Sequence, residues 1–164
     1  FIKIGNDVLE VYKAGGTGSD SLNLNMAEDG VGRYEAGSLN IVAIAGLNAA
    51  LKWRKTIDAF NHISDLSQYL MMRLKELSCI HIIAPDKVKP FGVVSVIIDG
   101  YSSDEIGVIL DDEFDIAVRT GFHCSALVHD FLGTRNSGGT VRISLNYFNT
   151  EHDIDSLISA LGTL

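Results

Sequence analysis

With 164 residues, 46% hydrophobic and 21% charged, the chain has an ordinary globular balance and enough length for one hydrophobic core. A formal charge of −8 argues against a nucleic-acid partner, since nothing would offset the phosphates. Two cysteines, Cys79 and Cys124, form no CxxC pair and no disulfide framework, so the chain reads as cytoplasmic, in a reducing compartment. Its apolar runs fall short of the roughly 20 residues that cross a bilayer, which argues against a membrane segment.

The chain opens on a short strand, "FIKI", and the turn "GND", with neither an initiator methionine nor a signal pattern, so it reads as beginning mid-protein. "AGGTGSDS" (14–21) has glycines and hydroxyls that could wrap an anion, but it lacks the lysine of a phosphate-binding loop and the GxGxxG spacing. In "GRYEAGSLN" (32–40), Ser38 reads as the N-cap of a following helix, where free N–H groups also suit phosphate. Over 38–57 the spacing of Ile41, Ile44, Leu47 and Leu51 predicts a mostly buried helix with basic residues in its last turns. A second helix, 58–77, places Phe60, Ile63, Leu66, Leu70 and Leu74 on one face, and Cys79 beyond it reads as a small buried hydrophobe.

From residue 80 the rhythm becomes that of short strands: "IHIIA", "VVSVII", "DIAVR" and "TVRISL". Two helices start legibly among them, one at Ser102 with Glu105 at capping-box spacing, the other at Thr150 with Asp153 in its first turn. The order strand, strand, helix, strand, strand, helix predicts a small sheet covered by helices on one side, an α/β arrangement with its chemistry in the loops.

The densest chemical segment is "RTGFHC". Arg119 leaves a predicted strand, Gly121 frees the backbone and Cys124 opens a loop. A thiol near a cation can ionise more readily, yet most lone cysteines are inert, and the residues alone leave both readings of Cys124 open. In an extended segment His123 would point away from Cys124. His123, His129, His152 and Cys124 match no zinc spacing, so no metal site is expected.

Taken in order, "GGTGS", "RYEAGSLNIVAIAGLNAAL", "RTGFHCSALVHDFLGT" and "GGTVRISLNYFNTEHDIDSLISAL" resemble the carboxy-terminal half of the class V aminotransferases, in the cysteine desulfurase and selenocysteine lyase branch. The resemblance implies a fold-type I enzyme that is homodimeric and uses pyridoxal 5'-phosphate. Residues 1–57 would be a remnant of its large cofactor domain and linking helix, and 58–164 its small α+β carboxy-terminal domain. It also implies that Cys124 takes sulfur from L-cysteine as a persulfide, leaving alanine. Arg119 would hold the substrate carboxylate, with His123 beside it. Gly37 and Ser38 would reach the cofactor phosphate of the partner subunit, Ser38 standing where relatives have threonine. Ser125 replaces an alanine and Leu39 a proline. The Schiff-base lysine, the aspartate on the pyridine nitrogen and the histidine over the ring match nothing in this chain, so by itself it is expected to be inactive. A sulfur-acceptor protein and a place in iron–sulfur cluster biogenesis are further implications. The alternatives are selenocysteine as substrate, another class V transaminase or lyase reaction, or a persulfide carrier without cofactor. Removed from a large domain, the apolar faces of 38–57 would drive association.

Overall fold

The computed structural model describes residues 10–16, 22–28, 30–84 and 89–164; the "FIKI" strand and most of "GGTGS" lie outside them. The chain divides after Thr56 into two compact units.

In the first unit a 3₁₀ turn at Val31–Arg33 precedes helix α1, Ile41–Arg54. Asn40, not Ser38, caps α1, its side chain accepting from the Ala43 N–H at 3.0 Å. A helix has one N-cap position, and Asn40 occupies it with a side chain as competent as serine. The expectation of a mostly buried helix is also corrected, for no residue of α1 is buried. Its apolar residues lie on every side, so no single face is set against a core.

The second unit starts with α2, Ala59–Leu74, capped by Asp58. Leu66, Leu70 and Leu74 are buried, whereas Phe60 stays exposed and stacks on Phe91 with ring centroids 4.9 Å apart. Cys79 is only half-buried, against the edge of the core. Strands β1 (Ile80–Ile83), β2 (Val93–Ile98) and β3 (Val141–Ser144) form an antiparallel sheet in the order β1-β2-β3. The register sets Ile80 opposite Ile98, Val94 opposite Ile143 and Val96 opposite Val141, all buried on one face. Opposite residues share a face, so this register puts the core on one side of the sheet. There α2, α3 (Ser103–Phe114) and α5 (Glu151–Leu161) supply Ile106, Leu110, Ile154 and Leu161.

Both expected helix starts form. Ser102 and Glu105 make a reciprocal capping box, and the Asp153 carboxylate accepts from the Thr150 N–H at 2.9 Å. "DIAVR" does not become a strand. Asp115 ends α3 in the left-handed conformation, and the segment meets β3 at a single bridge, Arg119 to Arg142. One short helix was not foreseen: α4, Ala126–Leu132, directly after Cys124.

Candidate functional site

The site lies at the edge of β3 away from β2, and backbone bonds build it. Arg119 and Arg142 exchange both N–H···O=C bonds, at 3.1 and 2.7 Å, and the Thr140 N–H donates to the Gly121 carbonyl at 3.1 Å. The two segments cross at Gly121 and Gly139, both at positive φ. A Cβ on Gly139 would overlap the Gly121 carbonyl, so only glycine permits this approach.

Beyond the crossing the chain reverses. His123 and Cys124 have φ of 50° and 60°, and the Ser125 N–H donates to the Phe122 carbonyl at 2.8 Å. Two successive left-handed residues closed by this bond make a tight turn of the type that glycine and asparagine favour. Histidine and cysteine hold it at about 1 kcal/mol or more of strain per residue. The expectation of an extended segment is therefore corrected, although the side chains still diverge. Cys124 is exposed, while His123 turns inward, its Nε2 lying 3.0 Å from the Thr140 hydroxyl and 3.2 Å from its carbonyl. His123 Nδ1 is buried without a hydrogen-bond partner among the described residues. Desolvation pushes the His123 imidazole below its ordinary range, and the positive fields of Arg142 and Arg119 act in the same direction. A neutral ring follows at neutral pH.

Arg119 and Arg142 are a directly opposed cross-strand pair, so their side chains leave the same face of the sheet, opposite the one on which Val141 and Ile143 are buried. Neither makes an ion pair among the described residues, and Arg142 Nε is buried with no hydrogen-bond partner. Like charges set opposite each other are unfavourable by themselves, and two guanidinium groups on one face have the chemistry to take an anion such as a carboxylate. Sequence reasoning missed Arg142. Its signal was available, an arginine at an outward position of "TVRISL".

Thus Arg119, His123 and Cys124 fall in one loop-and-strand cluster. Gly37 and Ser38 belong to the first unit. There Gly37 has φ 87° and its N–H is committed to the Gly16 carbonyl at 2.7 Å, while Ser38 is exposed. Tested as a phosphate contact, the pair fits in part. The Ser38 hydroxyl is available to an anion, and the Gly37 N–H is not in this conformation. Among the described residues no three His, Cys, Asp or Glu side chains gather as metal ligands, and no helix is long and apolar enough to cross a membrane.

The sequence profile of the family described as "Aminotransferase class-V" matches residues 5–157. The chain belongs to that family. Among curated relatives, a probable cysteine desulfurase of Chlamydia muridarum is 32% identical over 132 residues, covering 79% of this chain and 32% of the relative. The chain therefore spans about a third of the length of the curated relatives it matches. Among solved structures, the apo cysteine desulfurase of Thermococcus onnurineus NA1 superposes with a TM-score of 0.80 at 28% identity, covering 94% of this chain and 39% of that one. A C-DES variant with glycine covalently linked to its PLP cofactor superposes with a TM-score of 0.66 at 21% identity, over 92% of this chain and 36% of that one, a likeness of fold alone. The small antiparallel sheet backed by helices is thus the α/β fold of cysteine desulfurases.

Proposed function

We propose that this chain, as part of a class V enzyme of its relatives' length, carries the sulfur-accepting half of a cysteine desulfurase site. The observation that carries the reading is Cys124, exposed at the tip of a strained left-handed turn. Beside that turn two arginines, with no ion-pair partner among the described residues, leave one face of the sheet.

Arg119 and Arg142 bind the substrate carboxylate, a task suited to planar guanidinium groups. The Cys124 thiolate attacks the sulfur of L-cysteine. The C–S bond breaks, and the β-carbon takes the electron pair and then a proton, giving alanine and a persulfide on Cys124. Neutral His123, bonded to Thr140, anchors the base of the turn. Pyridoxal phosphate, when bound, supplies an electron sink for the substrate α-carbon. Ser38 would hold the phosphate of that cofactor across a homodimer, with Gly37 joining once its N–H leaves Gly16. Residues 1–57 act with the cofactor-binding portion and 58–164 as the small domain. A reducing cytoplasm keeps the thiol competent until a sulfur-acceptor protein, as in iron–sulfur cluster assembly, takes the persulfide.

The test is Cys124→Ser in the full-length protein, with L-cysteine and pyridoxal phosphate supplied. Alanine release should be lost, and mass spectrometry of the unsubstituted protein should find one added sulfur on the peptide holding Cys124. Undiminished alanine release in the variant would overturn the reading in favour of class V chemistry that needs no thiol. Faster turnover of selenocysteine than of cysteine would reassign the substrate. Persulfide formation without cofactor would make the chain a carrier.

A further inference from the structure

His129 lies on α4, a helix that the mechanism above does not use, and is 4% exposed. Its Nε2 is 3.1 Å from the Phe122 carbonyl and its Nδ1 is 2.7 Å from the Thr134 hydroxyl. A carbonyl can only accept, so Nε2 carries a proton; in the uncharged ring Nδ1 then keeps a lone pair, to which the Thr134 hydroxyl donates. Both ring nitrogens have a hydrogen-bond partner.

The target of that ring matters. The Phe122 carbonyl already accepts from the Ser125 N–H, the bond that closes the turn around His123 and Cys124, and His129 supplies its second donor. The Phe122 ring meets the imidazole edge-on, with centroids 5.3 Å apart. On the far side Thr134 is tied to the chain crossing, since its carbonyl accepts from the Gly139 N–H at 3.0 Å. A continuous chain of bonds therefore runs from the crossing at Gly139 through Thr134 and His129 to the carbonyl that starts the left-handed turn. Strained backbone persists only where its surroundings over-determine it. These bonds are the over-determining contacts.

We propose that His129, braced at Nδ1 by the Thr134 hydroxyl, is a positioning residue that clamps the Phe122 carbonyl and so holds the Cys124 thiol at its place in the turn. The inference deepens the desulfurase reading and rests on it for the reaction affected, but the clamp itself can be tested apart from any activity. Thr134→Val replaces the hydroxyl by a methyl of similar size, leaving Nδ1 buried without a donor and the ring braced only through Nε2. His129→Gln is the second variant, keeping a terminal donor and losing the ring.

In the full-length protein, amide hydrogen exchange of Ser125 should quicken by roughly tenfold or more in Thr134→Val, because the ring that holds its acceptor carbonyl has lost its brace, while exchange of the β2 amides stays unchanged. For persulfide formation from L-cysteine, kcat should fall by roughly tenfold to a hundredfold, the size expected of a small misplacement of a reacting group. KM should hold, because Arg119 and Arg142 are untouched. Thr134→Ser should restore both measurements, and His129→Gln should resemble Thr134→Val. A Ser125 amide that exchanges no faster in either variant would overturn the inference, as would β2 amides that quicken with it, or a serine variant that fails to rescue. If the unsubstituted protein forms no persulfide, the desulfurase reading fails, and the exchange comparison still decides whether the clamp exists.

Discussion

Between Ala59 and Leu74 three leucines are withdrawn from solvent; between Ile41 and Arg54 no side chain is, although that stretch is the more apolar of the two. The difference is one of pattern and partner. In α2 the leucines at 66, 70 and 74 recur on one stripe, which lies against β2 and α5. In α1 apolar residues face every direction, with Ile41 74% and Val42 84% exposed. A helix that is apolar all round is suited to burial by something more than one neighbour. Apolar content made both helices; only the amphipathic one closed a core.

The contrast between α1 and α2 rests on the buried core. Leu70→Ala should destabilise the second unit by about 2–5 kcal/mol in urea unfolding, the range for emptying a fully buried leucine site. A loss below 1 kcal/mol, on the order of a surface substitution, would mean that this core is not what holds the unit together. Next comes Gly139→Ala, which puts a Cβ against the Gly121 carbonyl in a left-handed backbone; about 1–3 kcal/mol of strain should appear as a lowered melting temperature. Removing the cap of α3 by Ser102→Ala should cost about 1 kcal/mol, read from the same unfolding curves.

His123 supplies a pH test. Its folded pKa lies below the ordinary imidazole value, so the folded unit binds fewer protons than the unfolded chain as pH falls through that range. The stability this contributes is present above the ordinary imidazole pKa and is lost toward the lower folded value. The melting temperature should therefore decline from about pH 7 to about pH 5 more steeply in the unsubstituted chain than in His123→Gln. Equal slopes would show that the inward His123 does not couple to folding.

The smallest effect on stability belongs to α1. Leu47→Ala should change unfolding of the second unit by no more than about 0.5 kcal/mol, as at a surface position. Ile44→Glu with Leu47→Glu should lower the mass measured by light scattering, because exposed apolar patches drive association. A monomer before substitution would show that α1 needs no cover.

Much of this architecture was legible because it depends on neighbours in sequence. The capping boxes at Ser102 and Thr150, the leucine stripe of α2 and the alternation in "VVSVII" are short-range patterns with short-range causes. "RTGFHC" was legible as a cluster for the same reason, six residues that must lie together. The errors fell where local pattern had competition. Ser38 and Asn40 are both able caps, and only the path of the backbone chose between them. "DIAVR" has the composition of a strand, but a strand needs a partner along its length, and the crossing at Gly121 and Gly139 leaves it one bridge.

Residue type and spacing alone carried the family, the starts of α3 and α5, the one-sided sheet and the thiol at Cys124. Tertiary structure decided that Arg142 stands opposite Arg119, that Cys124 sits in a left-handed turn and that His129 reaches the carbonyl beginning that turn. Those facts depend on strand register and chain crossing, which bring together residues that spacing along the chain does not relate.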